Sequence, residues 1–236
     1  CACDRIQNRW DQSLSPGNEQ AVYWGSSAAD TPGTRNYMGA KDPAIDAMRA
    51  ALTAKLVALW RACATPHWPW FESIVSYENA RLCQALILSG QWMPQPEALV
   101  VGLESLRWLA SIQKTPDGCF RPVGSNGFYQ RDGARADFDQ QPVEAQAMVA
   151  ACLEAFRATQ DGAWSREARR AFEWFLGRND LRVPLYDSGT GGCSDGLHAD
   201  RISENQGAES TLAFQLALAE MKCAEHLIAN QPPPAP

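Results

Sequence analysis

The residues best equipped for chemistry fall in two polar stretches, residues 137–144 and 179–209. The first, DFDQQPVE, carries Asp139, Gln140, Gln141 and Glu144. The second carries Asp187, Asp195, Glu204, Asn205, Gln206 and Glu209, interleaved with Leu185, Tyr186, Cys193 and Leu197. Two carboxylates flanking a glycosidic bond are the minimum for its hydrolysis, one as acid and one as base or nucleophile. Asp139, Asp195 and Glu209 are the candidates for that work. Glu72, Gln140, Gln141, Glu144, Asp187, Asn205 and Gln206 offer donors and acceptors suited to hydroxyls. Trp68 and Trp70, in an entry loop beside Pro66 and Pro69 and just beyond His67, offer ring faces to the apolar side of a sugar. Each acid also has a structural reading, since a carboxylate in a helix's first turn caps free N–H groups and meets the positive end of the dipole. For Asp139 that reading is an N-cap.

Other chemistries find less support. The stretch GTGGCSDG at 189–196 lacks the spacing and the lysine of a phosphate-cradling loop. Cys193 reads as a thiol packed in a turn rather than a nucleophile. His67 and His198 have no metal-ligand spacing, so neither a metal nor another cofactor is expected. The eight cysteines contain no CxxC pair. Cys63, Cys83, Cys152 and Cys223 lie in apolar runs and read as small buried thiols of a reducing compartment. A cytoplasmic location is therefore expected, with a periplasmic one as the alternative. Cys1 reads as a boundary rather than a lipid-bearing residue. A net charge of -6 and a pI near 5.1 argue against nucleic-acid binding. No apolar run is long enough to span a membrane.

These side chains need helices to position them. Residues 1–42 are turn-rich, with Trp10, Tyr23 and Trp24 but little periodicity. After Asp42, a plausible N-cap, apolar residues recur at i, i+3, i+4, i+7 in six segments. They are 43–62, 71–89 (closed by Gly90), 96–113, 140–159, 164–177 and 206–229. Trp92, Trp108, Trp164 and Trp174 fall on core positions, and His226 on a surface one. The tail QPPPAP is expected to be a solvated end. The second, fourth and sixth helices are rich in small residues; the third and fifth mix Arg and Glu with Trp, Leu and Phe. Glu78, Glu144 and Glu209 stand 66 and 65 residues apart, and Trp108 and Trp174 stand 66 apart. A fixed period covering two helices means a repeated helical hairpin. Buried helices alternating with amphipathic ones make the expected fold all-α. It would be a partial (α/α) toroid of about three hairpins, with long loops at one mouth and an irregular N-terminal segment before it. Three hairpins leave the ring incomplete, so self-association is a possible consequence.

Two resemblances follow from motifs. From about residue 56 to 221, WPWFESIVSYENARLCQALI, GLESLRWLASIQ, DGCFRPVGSNGFY, FDQQPVEAQAMVAAC, AFEWFLGRNDLRVPLYDSGTGGCSDGL and NQGAESTLAFQLALAE resemble the helical C-terminal domain of certain bacterial glycosyltransferases. That domain is of the six-hairpin, (α/α)-toroid class, so the resemblance implies saccharide or glycosyl-chain partners. Any activity would be glycoside chemistry. Residues 1–54, with SPGNEQ, WGSSAADTPGTRNYMG and KDPAID, resemble an internal piece of a periplasmic peptide-binding protein of an ABC transporter, solute-binding family 5. The chain therefore reads as a chimera: residues 1–54, a toroid domain at 55–229, and a disordered tail at 230–236. The join falls near residues 53–56, inside one expected helix. A structural remnant without catalysis and a peptide-transport component are the alternative functions.

Overall fold

The computed structural model describes residues 43–93 and 95–229, the side chains of 226–229 excepted. The expectations for residues 1–42, the tail and the His226 side chain lie outside the described residues. Six helices account for most of the rest: α1 (Pro43–Cys63), α2 (Ala80–Trp92), α3 (Pro96–Ile112), α4 (Pro142–Thr159), α5 (Gly162–Phe175) and α6 (Ala208–Ala229). The fold is all-α, as the periodicity implies; among the described residues the one sheet is a two-residue pair, β1 (Ile74–Val75) with β2 (Tyr129–Gln130). Proline opens α1, α3 and α4, where its fixed φ suits the first turn and its missing N–H costs nothing. Helix α1 runs unbroken through the expected join at residues 53–56.

The second helix is where the periodicity misleads. Residues 71–79 have helical apolar spacing, yet they are extended and turned. Trp68 Nε1 donates to Glu72 O at 2.6 Å and Trp70 Nε1 to Ile74 O at 3.2 Å, so two carbonyls a helix would need are already taken. The β-branched Ile74 pairs with Gln130, and Val75 with Tyr129. Glu78 at φ 48° then breaks the extended run, and Asn79 Oδ1 accepts from Ser76 N at 2.8 Å. Gly90 does not close α2 but lies within it. A Cβ there would sit 2.5 Å from Leu99 N, so its bareness lets α2 and α3 pack closely.

Helix α4 is the centre of the packing. Every residue from Pro142 to Phe156 is buried, and α4 touches α2, α5 and α6. Gln91 Nε2 reaches Glu154 Oε1 at 2.7 Å near the ends of α2 and α4, while Arg81 Nη2 meets Gln146 Oε1 near their starts. The two helices therefore run parallel. Outside this layer, α3 pairs with α2 and α5 with α4. Trp70, Phe71, Phe120, Phe156, Trp174 and Phe175 fill the interior. Helices α2 and α4 are thus inner and α3 and α5 outer, as expected; α6, expected to be buried on all sides, instead keeps Leu212, Gln215 and Cys223 exposed.

Candidate functional site

The loops entering α2, α4 and α6 meet at one end of the layer. Glu144, in the first turn of α4, accepts from Asn79 Nδ2 at 3.0 Å and from Glu78 N, at the start of α2. Tyr77 Oη donates to Glu209 Oε1 at 3.1 Å, joining the approach to α2 with the first turn of α6. Gln140 and Leu197 exchange backbone hydrogen bonds of 3.0 and 2.9 Å, stitching the loop before α4 to the loop before α6.

Beside that stitch lies a cavity of about 100 Å³ lined by Asp139, Gln140, Gln141, Asp195, Gly196, His198 and Ser203. Asp139 is held in the left-handed region at φ 47°, an uncommon conformation for a residue with a side chain. Its carbonyl accepts from Ser125 N at 3.0 Å and Ser125 Oγ at 3.1 Å. Its carboxylate meets His198 Nδ1 at 2.5 Å. Gln141, not Asp139, occupies the N-cap position of α4, and no side chain caps that end. The N-cap reading of Asp139 is thereby overturned. His198 is fixed from its own side, its N–H donating to Arg201 O at 2.8 Å in a turn closed by the Leu197–Ile202 bridge. An imidazole with Nδ1 engaged by a carboxylate has its tautomer and orientation set, leaving Nε2 to exchange a proton.

Asp195 faces the same cavity. Burial works against its ionisation, but hydrogen bonds from Ser210, Gly207 N (2.7 Å) and Asn205 Nδ2 outweigh it and hold the carboxyl below its usual range. It also ties down the approach to α6. Asp187 Oδ1 accepts from Gly189 N at 2.8 Å and Oδ2 from Gln206 Nε2 at 3.3 Å; these bonds lower its pKa and shape the 187–192 turn. Asn205, Gln206 and Glu209 are exposed. Asp139, Gln141 and Asp195 thus line the cavity, Asn205 is bonded to Asp195 beside it, and Glu209 stands apart on Tyr77.

Several other expected binders have internal duties. Gln140 is fully buried; its amide donates to Asp180 Oδ2 at 2.7 Å and accepts from Trp174 Nε1 at 2.7 Å. Only its backbone is left to face the cavity. Glu144 is buried, and burial pushes it up to about 7 despite the donors from Asn79 and Glu78. Burial also raises Glu72, which lies half-buried just ahead of β1. Trp68 and Trp70, expected to stack on sugars, are 4% and 1% exposed, so neither ring has a free face. Trp68 packs edge-on against Trp108 and Tyr129, and Trp70 tilts on Trp108. The tryptophan-proline loop turns inward because its indole N–H groups find backbone carbonyls there. Tyr77, 37% exposed beside Glu209, is the aromatic ring that the mouth does present.

His198, Ser203, Ser125 and Tyr77 were not singled out as binders by sequence pattern; an isolated histidine in a loop carries no spacing signal. Cys193 is buried as expected, and burial pushes its thiol up to about 12. Cys223, by contrast, is exposed. A larger cavity of about 350 Å³ lies between α3 and α5, lined by Arg107, Lys114, Asp161, Trp164 and Glu167 among others. It holds none of the expected site residues. No group of three potential metal ligands occurs among the described residues, and no described helix is long and apolar enough to cross a membrane.

The fold and the site together define an all-α domain with a small polar pocket where two loops are stitched. No family model matches the chain. A short N-terminal stretch is similar to several bacterial proteins, among them the following. An uncharacterised protein of Sinorhizobium fredii is 67% identical over 39 residues, 16% of this chain and 6% of that protein. The probable peptide-binding protein YejA of Agrobacterium fabrum is 56% identical over 39 residues, again 16% and 6%. A putative binding protein of Brucella melitensis is 51% identical over 51 residues, 22% of this chain and 8% of that protein. The chain thus spans less than a tenth of the length of these relatives. The likeness to solute-binding proteins is confined to a fragment.

Proposed function

We propose that the helical domain binds saccharides or glycosyl chains at the pocket between Asp139, Gln141, Asp195, His198 and Ser203. The observation that carries this reading is the Asp139–His198 pair. A carboxylate at a helix approach ordinarily caps the helix; this one instead orients an imidazole in an open cavity. Around it stand the donors and acceptors that hydroxyl groups need: Gln141, Ser203, Asn205 and the ionised Asp195. The resemblance of residues 56–221 to glycosyltransferase-associated toroid domains points to the same ligand class. In any glycoside chemistry here, His198, held by Asp139, would take a proton from a hydroxyl or a water, while Asp195 would face the developing positive charge.

Saccharide titration by ligand-observed NMR tests the proposal. Binding at roughly millimolar affinity is expected for so small a pocket. Asp139→Asn and His198→Gln should each weaken it by about tenfold with little loss of stability, since both groups are substantially exposed. Absence of binding across a broad sugar panel, or equal binding by the variants, would count against it. A second reading, a component of peptide transport, is favoured by the N-terminal similarity to peptide-binding and other binding proteins. It predicts that a mixed peptide library, not a sugar panel, perturbs the protein.

A further inference from the structure

Helix α1 is apolar on two faces, and the fold covers one of them. Of its 21 residues, only Thr53 and Val57 are buried. On the opposite side Met48, Leu52 and Leu59 are 41%, 40% and 37% exposed. Ala51 and Ala58 are exposed beside them, and Lys55 is the charge within the stripe. A helix that is apolar all round belongs in an interior. The spacing of this second face is that of a coiled-coil seam: Met48 and Lys55 repeat at one heptad position, Ala51 and Ala58 at a second, Leu52 and Leu59 at a third.

We infer that this face is the contact between two copies of the chain, paired antiparallel about a two-fold axis beside Thr53. The seam is self-complementary under that operation. Met48 of one copy falls against Ala58 of the other, Lys55 against Ala51, and Leu52 meets its own counterpart across the axis. Large opposes small along the seam, which lets the helices interlock. Parallel pairing would set Lys55 against Lys55 instead. Two helices of this length, ~31 Å, remove on the order of 1,000 Å² from water when paired, near the lower bound of specific interfaces. An interface of that size makes a weak, concentration-dependent dimer. Lys55 works as a register device: it tolerates an alanine opposite and disfavours slippage.

Sedimentation equilibrium of the full chain over a wide concentration range tests this. The wild type should dimerise. Leu52→Glu, which puts two carboxylates together at the axis, should weaken the dimer by about 100-fold or more. Lys55→Leu should tighten it by about tenfold. Val100→Glu, on an exposed residue of α3 away from the stripe, should leave it unchanged. These side chains are solvent-facing, so all variants should melt as the wild-type monomer does. Persistent monomer at every concentration overturns the inference, and so does a dimer indifferent to Leu52→Glu. A monomer that binds an apolar dye only after residues 1–40 are removed would identify that segment as the occupant and overturn it too.

Discussion

Glu144 should make the folded chain less stable as the pH rises from mild acid to neutrality. The group is buried and its carboxyl is pushed up to about 7 from an ordinary value of 4.5, by burial that outweighs the donors from Asn79 and Glu78. A folded-state pKa above the unfolded one favours the protonated form in the fold. The stabilisation is complete below about pH 4.5 and is lost as the pH climbs through about 7. A displacement of about 2.5 units at about 1.36 kcal/mol each amounts to roughly 3 kcal/mol. Glu220, pushed up to about 7 by burial, adds to the fall in the same window, with Arg81 and Arg157 opposing it and Glu154 assisting. The difference between wild type and Glu144→Gln isolates the single site, because glutamine does not titrate. Glutamine also turns an NH₂ group towards Asn79, a mismatch that lowers stability by about 1–2 kcal/mol at mildly acid pH. That deficit should vanish at about pH 5–6 and be reversed at pH 7, where the wild type has lost its roughly 3 kcal/mol and the variant has not. Urea unfolding at several pH values from 4.5 to 8 reads it directly. A constant gap between the two proteins over that range would refute the reasoning, as would a carbon-detected titration of the Glu144 carboxyl near 4.5.

Gly124→Ala should disrupt the pocket from behind, since the new Cβ would fall 1.8 Å from Phe138 O in the strand-like run that delivers Asp139. A loss of about 3 kcal/mol or more is expected, read by thermal unfolding. Asp195→Ala removes acceptors for Gly207 N and Asn205, and should lower stability by about 1 kcal/mol at neutral pH. Because the Asp195 carboxyl is held below its usual range, the penalty should vanish as the pH falls through that value; a penalty that grows in acid would contradict the assignment. Gln113 is buried with neither amide atom bonded, so Gln113→Met should raise stability by about 1–2 kcal/mol in denaturant unfolding.

Five of the six helices were legible within two residues or so, because each combines an apolar period with a stop or start signal such as Pro96, Pro142 or Asp161. The start of α2 was not. Phe71, Ile74, Val75 and Glu78 have helical spacing, and no local rule reveals that two indole N–H groups will claim carbonyls 72 and 74. The burial of Trp68 and Trp70 was hidden too, because their loop composition suggests exposure and the rings they pack on, Trp108 and Tyr129, are distant in sequence. The site was half legible. Its carboxylates and amides stood out as a polar cluster at helix approaches, and the 65–66 residue period placed those approaches at one end. Their division of labour was not visible, because whether an acid caps, titrates or orients a neighbour depends on partners such as Asn79 and His198, which lie 65 and 59 residues away from Glu144 and Asp139.

That division follows from an unequal use of the repeat. At the first junction Glu144 reaches back to the backbone at Glu78 and Asn79 and is spent on holding α4 against α2. One period later Glu209 stands at the corresponding place but is exposed and bonded to Tyr77. The joining role there passes to the Gln140–Leu197 bridge and to Asp195 at Gly207 N, which frees the side chains of Asp139, His198 and Glu209 to face solvent. Stability and ligand binding should therefore separate by residue. Glu144→Gln should shift unfolding while leaving saccharide titrations near wild type. Asp139→Asn and His198→Gln should do the reverse, with melting temperatures within about 2 °C of wild type. If the three variants moved both properties together, the two junctions would be doing one job and the separation would fail.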